Sequence, residues 1–168
     1  MTSTPYTGIL ADFIAGARTR TLPATVIEKT QHHVLDTLAA GVSGSRLPAG
    51  ERALAFVTPA AAPHGVHLLG SALRVRPDDA ALANGMAAHA DETDDSHAAS
   101  ITHPGCAVVP AALAACEHFG GDGATFVAAV ALGYDLCARI AAALGGEDFF
   151  ARHHSSHAFG GVFGAAAA

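Results

Sequence analysis

Apolar residues at Ile9, Leu10, Phe13 and Ile14, and again at Val26, Val34, Leu35, Leu38 and Ala39, recur at spacings of three and four. That is the repeat of a helix with one apolar face, so two amphipathic helices open the chain. Pro23 fits the first turn of the second, where its fixed φ and missing N–H cost nothing, and Gly41 and Gly44 lie where that helix ends. A shorter helix over Gly50 to Val57 stops before Pro59. Gly65-Val66-His67-Leu68-Leu69-Gly70 followed by Leu73-Arg74-Val75 is the one segment that reads as short strands around a turn. Asp78 or Asp79 is the expected cap of a helix reaching about Ala90, with Ala80, Leu82, Ala83, Met86 and Ala87 as its close-packing face. Val108 to His118 and Thr125 to Leu144 read as two further helices, separated by Gly120-Gly121-Asp122-Gly123 with Asp122 as a cap. The pattern predicts an all-α, predominantly helical fold with at most a short β-hairpin near residues 66–75.

Composition supports this reading and narrows the function. A chain of 168 residues fits one domain, and 51% hydrophobic against 6% aromatic residues points to helices packed through small side chains. The net charge of −6, with a single lysine at Lys29 and scattered arginines, supplies no basic stripe for nucleic acid. Met1 to Tyr6 lacks the cationic and apolar parts of a secretory signal, so a cytoplasmic protein is expected. The most apolar stretch, Ala124 to Leu144, carries Asp135 and Arg139 in mid-run and reads as a buried core helix, not a membrane span. Cys106, Cys116 and Cys137, 10 and 21 residues apart, match neither a redox pair nor a zinc ribbon and read as reduced thiols. Ala165 to Ala168 favours helix yet carries no capping residue, so the chain reads as cut inside a helix.

The chemistry concentrates between His89 and His103. There His89, His97 and His103 share 15 positions with Asp91, Glu92, Asp94 and Asp95. Crowded carboxylates push one another's pKa values apart, and imidazole beside carboxylate is the common acid–base pairing near neutral pH. A solvated acidic loop is the other reading of the same density. A second cluster, His153-His154-Ser155-Ser156-His157, precedes Gly160-Gly161-Val162-Phe163-Gly164. Glycines at a helix entrance serve either anion binding or tight helix packing. His89, Asp91, His97 and His103 are metal-ligand types, but no HExxH motif or i, i+4 pairing fixes two of them on one helix face, so no metal is expected. The chain has no GxSxG, no GxxxxGK[ST] and no GxGxxG after a strand, which sets aside hydrolase and kinase chemistry.

Asn84-Gly85, His89 with the acidic string to Asp95, His103-Pro104-Gly105, Pro110-Ala111-Ala112-Leu113 and the ending Gly161-Val162-Phe163-Gly164-Ala165 stand in an order that resembles the MmgE/PrpD family. Asp36-Thr37-Leu38-Ala39-Ala40-Gly41 resembles the family's second helix, so the likeness covers nearly the whole chain. Against the family string His-Ala-Leu-Asp-Phe-Asp-Asp-Thr-His, Glu92 replaces the first aspartate and Ser96 the threonine, both keeping the functional group. Asp91 and Thr93 replace apolar or aromatic residues and make this site more polar.

The resemblance implies a cofactor-independent lyase of small di- or tricarboxylates. Residues 1–168 would be a partial helical domain, with its active-site loop at 89–105 and a homodimer as its assembly. Dehydration of 2-methylcitrate is the leading expectation. Decarboxylation of cis-aconitate, an iminodisuccinate epimerase-like activity and a silent dimerisation module are the alternatives. His103 is implied as acid–base group, with Glu92, Ser96 and His154 as further catalytic residues and His89, Asp94, Asp95 and His97 on the substrate. His154 matches the family's second histidine with one residue inserted before Gly161, leaving His153 and His157 as rivals. The family's active-site lysines and tyrosine match nothing here, Lys29 included, so residues 1–168 alone are expected to be inactive. Four carboxylates would repel a trianion unless imidazoles pair with them, so the acids are expected to orient histidines.

Overall fold

The computed structural model describes residues 6–168; the signal-sequence reading, which rests on Met1 to Tyr6, lies almost wholly outside them. Eight helices are present among these residues: α1 (Tyr6–Ala17), α2 (Ala24–Gly44), α3 (Pro48–Val57), α4 (Pro77–Ala88), α5 (Pro104–Phe119), α6 (Gly123–Ala143), α7 (Glu147–Ala151) and α8 (Ser156–Ala167). Strands β1 (Ala61–His67) and β2 (Arg74–Val75) form an antiparallel pair that places Val66 opposite Val75 and His67 opposite Arg74. The mainly helical fold with one hairpin is the one the periodicity predicts.

Two helix starts and one whole helix differ from expectation. Pro77 opens α4, because its ring already holds a helical φ, and Arg76 is the cap residue. Asp78 and Asp79 therefore fall in the first turn, where they face the positive end of the helix and pair with Arg76 at 3.7 and 2.9 Å. Helix α5 starts at Pro104, a turn before Val108, for the same reason, and Pro110 is accommodated within it. The five-residue α7 was not anticipated; glutamate and aspartate in its first turn and Gly146 at φ 47 before it are its only local signals. Asp122 caps α6 as expected, its carboxylate accepting the Thr125 N–H at 2.8 Å.

Helix α6 departs most from its reading. It is long and apolar enough to cross a membrane by length and composition, yet only Val130, Gly133, Leu136, Cys137 and Ala141 are fully buried. Its buried stripe packs against α8, α5 and α2, while Asp135 and Arg139 pair at 2.7 Å on another face. The glycines of α8 belong to this packing. A Cβ on Gly160 would stand 2.8 Å from the Cys137 carbonyl oxygen, and one on Gly164 would stand 2.7 Å from that of Gly133. Close helix approach, one of the two uses expected of these glycines, is thus present here.

Two apolar clusters make the core. Ala53, Val57, Val66, Leu68, Val75, Ala80 and Ala83 join α3, the hairpin and α4, whereas Val108, Val109, Ala112, Val130 and Cys137 join α5 to α6. Helix α5 contributes to both, Val108, Val109 and Ala112 to the second and Ala114 to the first. Its first turn carries the end of the histidine-rich loop.

Candidate active site

Helix α4 releases the chain at His89 and α5 recaptures it at His103, so both ends of the 89–103 segment are anchored on core helices. The segment folds back on itself through a bridge between His97 and Thr102 and a short 3-10 turn over Ala98–Ser100. Ser100 is buried and shares 2.7 Å hydrogen bonds with His97 Nδ1 and Thr102 Oγ1. Ser156, at the start of α8, donates to the Ile101 carbonyl and ties the loop to that helix. Glu92 and Ile101 sit at φ 56 and φ 49, in the left-handed region that non-glycine residues seldom adopt. The folded-back path is thus held against local preference by its surroundings.

Asp94 is the centre of the first constellation. Its side chain is 0% exposed, and Oδ1 lies 3.0 Å from His89 Nδ1 and 3.4 Å from His103 Nδ1. Asp94 Oδ2 and His103 Nδ1 are buried with no hydrogen-bond partner among the described residues. His157, in the first turn of α8, stacks on His103 with ring centres 4.9 Å apart, and its Nδ1 accepts the His103 backbone N–H at 3.2 Å. Burial holds the His157 pKa below the usual histidine value, helped by repulsion from His103 and His89. Cys106 donates its thiol to the His103 carbonyl at 3.1 Å. Burial and the negative charge of Asp94 push that thiol up to about 12.

Asp95 faces the other way. Its Oδ2 lies 3.0 Å from His33 Nδ1 on α2, and its Oδ1 accepts the Gly105 N–H at 3.0 Å, at the open N-terminal end of α5. The His33 ring rests on Tyr134 of α6 with centres 4.8 Å apart. Burial lowers the His33 pKa despite the attraction of Asp95. Burial and Asp95 together raise that of Tyr134, whose hydroxyl has no hydrogen-bond partner among the described residues. Beside this network lies a cavity of about 490 Å³ lined by Lys29, His33, Asp95, Ser96, His97 and Tyr134, among others.

The structure therefore sorts the expected site residues. His89, Asp94 and His103 converge, and of the three rivals His157 joins them. His154 is exposed and stacks on Phe149 at 4.8 Å, so the residue chosen by the family match does not face His103. Glu92 is exposed, and Ser96 and His97 line the cavity instead of the histidine cluster. Asp95 is taken up by His33 and Gly105. His33 and Tyr134 were not singled out, Lys29 was set aside as matching no family lysine, and Cys106 was read only as a reduced thiol. A signal for His33 was present, since Thr30, His33 and Thr37 repeat at three and four on α2, a polar row on the inward face with both threonines buried.

A family profile described as the MmgE/PrpD N-terminal domain matches residues 8–168. A cis-aconitate decarboxylase-like protein, oryM, of Aspergillus oryzae is 31% identical over 98% of this chain and 36% of its own length. A cis-aconitate decarboxylase of Aspergillus terreus is 27% identical over 96% of this chain and 33% of its own length. The chain thus spans about a third of the length of the curated relatives it matches.

Proposed function

The chain belongs to the MmgE/PrpD family, a lyase-type family, and on that premise we propose that it carries the acid–base part of an active centre acting on small di- or tricarboxylates. The observation that carries this reading is the buried Asp94 carboxylate flanked by His89 and His103, with His157 stacked on His103. A carboxylate hydrogen-bonded to Nδ1, as Asp94 is to His89, orients an imidazole that then exchanges protons through Nε2, and such groups contribute ~10²–10⁴-fold to rates.

One proton-exchanging group serves each member of the expected class. Dehydration of 2-methylcitrate removes a proton from the carbon beside a carboxylate as hydroxide leaves. Decarboxylation of cis-aconitate breaks a carbon–carbon bond, releases CO₂ and returns a proton to the carbon left electron-rich. The family resemblance led with the first reaction, and the relatives carry the second in their names. Lys29 supports the binding half of this proposal, because α2 carries it to the same cavity as Ser96 and His97, although its sequence position had set it aside. The homodimer expected of the family is part of the same proposal.

A substrate panel of 2-methylcitrate, cis-aconitate and iminodisuccinate, followed by proton NMR with a protein comprising this chain and the length its relatives have, tests the reading. Conversion of one of the first two supports it. Turnover of none of the three, by folded protein, sinks it.

A further inference from the structure

We propose that His89, Asp94 and Cys106 form a binding site for a divalent transition-metal ion of the zinc type. One ligand atom from each lies within 4.8 Å of the other two, and His89 Nδ1 and Asp94 Oδ1 already stand 3.0 Å apart. Imidazole, carboxylate and thiolate are the donors that zinc accepts. Bonds of about 2.0–2.3 Å in a tetrahedron put ligand atoms roughly 3.3–3.8 Å apart, so the widest separation here has to close by about 1 Å. Side-chain rotation covers that distance.

A second, independent observation points to a cation. The Asp94 side chain is wholly buried, and its Oδ2 finds no hydrogen-bond partner among the described residues. A buried carboxylate with an unmatched oxygen is costly, and a cation at this point offsets the cost. The donors also come from firm positions: His89 follows the last turn of α4, Cys106 lies in the first turn of α5, and Asp94 is buried between them. Ligation costs Cys106 its bond to the His103 carbonyl and the proton of its thiol, which the charge of the ion releases on binding. His103 Nδ1, buried and 3.4 Å from Asp94 Oδ1, is the nearest further donor. Occupancy draws Asp94 away from its role beside His103. The ion therefore competes with the acid–base arrangement, a consequence that rests on the reading above, whereas the site itself does not.

Cobalt(II) is the probe, added to chelator-stripped protein and followed by absorption and equilibrium dialysis. The expected result is one ion per chain, with tetrahedral d–d bands and a thiolate-to-cobalt charge-transfer band, all displaced by zinc. Cys106→Ser removes the charge-transfer band and weakens binding by at least about tenfold; His89→Gln weakens it comparably. His67→Gln, on the distant His67–Glu117 pair, leaves binding unchanged. No tetrahedral spectrum, or a charge-transfer band that survives Cys106→Ser, overturns the proposal, as does uptake lost equally with His67→Gln. His89 is partly exposed, so its variant keeps the test decisive if Cys106→Ser fails to fold. Because the readout is binding and not turnover, it stands apart from the substrate panel.

Discussion

Asp94 and Asp95 are neighbours in the chain and face opposite constellations. Asp95 has both oxygens engaged, one by the Gly105 N–H and one by His33, and so ties α2 to the start of α5. Asp94 has one oxygen shared between two imidazoles and the other unmatched. A satisfied buried carboxylate fastens helices together, whereas an unsatisfied one is held at a cost that chemistry or a ligand repays. The difference separates a tie from a site within a single dipeptide.

The largest expected effect lies on the Asp94 side. In catalytically competent protein, His103→Ala lowers turnover by ~10²–10⁴-fold with an unchanged circular dichroism spectrum. Asp94→Asn moves turnover in the same direction and the melting temperature little. A loss below about threefold for His103→Ala moves that residue from chemistry to scaffolding.

On the Asp95 side the expected losses are in stability. A Cβ on Gly105 would collide with Thr37 Oγ1 and stand 2.8 Å from both Asp95 Oδ1 and Tyr134 Oη. Gly105→Ala therefore costs about 1–3 kcal/mol, the usual range for an overpacked core, read by urea denaturation. Asp95→Ala removes a helix-end acceptor and costs about 1–2 kcal/mol. If Asp95→Ala instead abolished turnover in fully stable protein, the tie and the site would have to exchange names.

The smallest effect sharpens the comparison through pH. The folded-state pKa of His33 lies below its ordinary value, so the unfolded chain binds the proton first as pH falls. Its contribution to stability is full above about pH 6.5 and is lost as pH drops through the folded-state value. His33→Gln should flatten that part of the melting-temperature profile between pH 7 and pH 5. A profile equally steep in the variant assigns the acid sensitivity elsewhere.

Much of this molecule is set by local chemistry and is legible along the chain. The helix repeat of α2, the Asp122 cap, Val66 and Val75 in a hairpin, and the crowding of acids and histidines from His89 to His103 all depend on residues a few positions apart. Proline at the head of α4 and α5 is equally local, and it outweighs capping aspartates and apolar spacing in setting where those helices begin. What the chain could not show is which groups meet. His157 lies 54 residues from His103 and reaches it because the glycine face of α8 seats that helix on α6. Neither Lys29 at the cavity nor Cys106 at Asp94 is marked by spacing, since each arrives on a helix placed by core packing. The choice of His157 over His154 was likewise decided by packing: one turn of backbone turns one ring toward His103 and leaves the other on Phe149. Local sequence determines which groups are present and on what kind of element, and burial of apolar surface, which is blind to chemistry, decides which of them come within hydrogen-bonding reach.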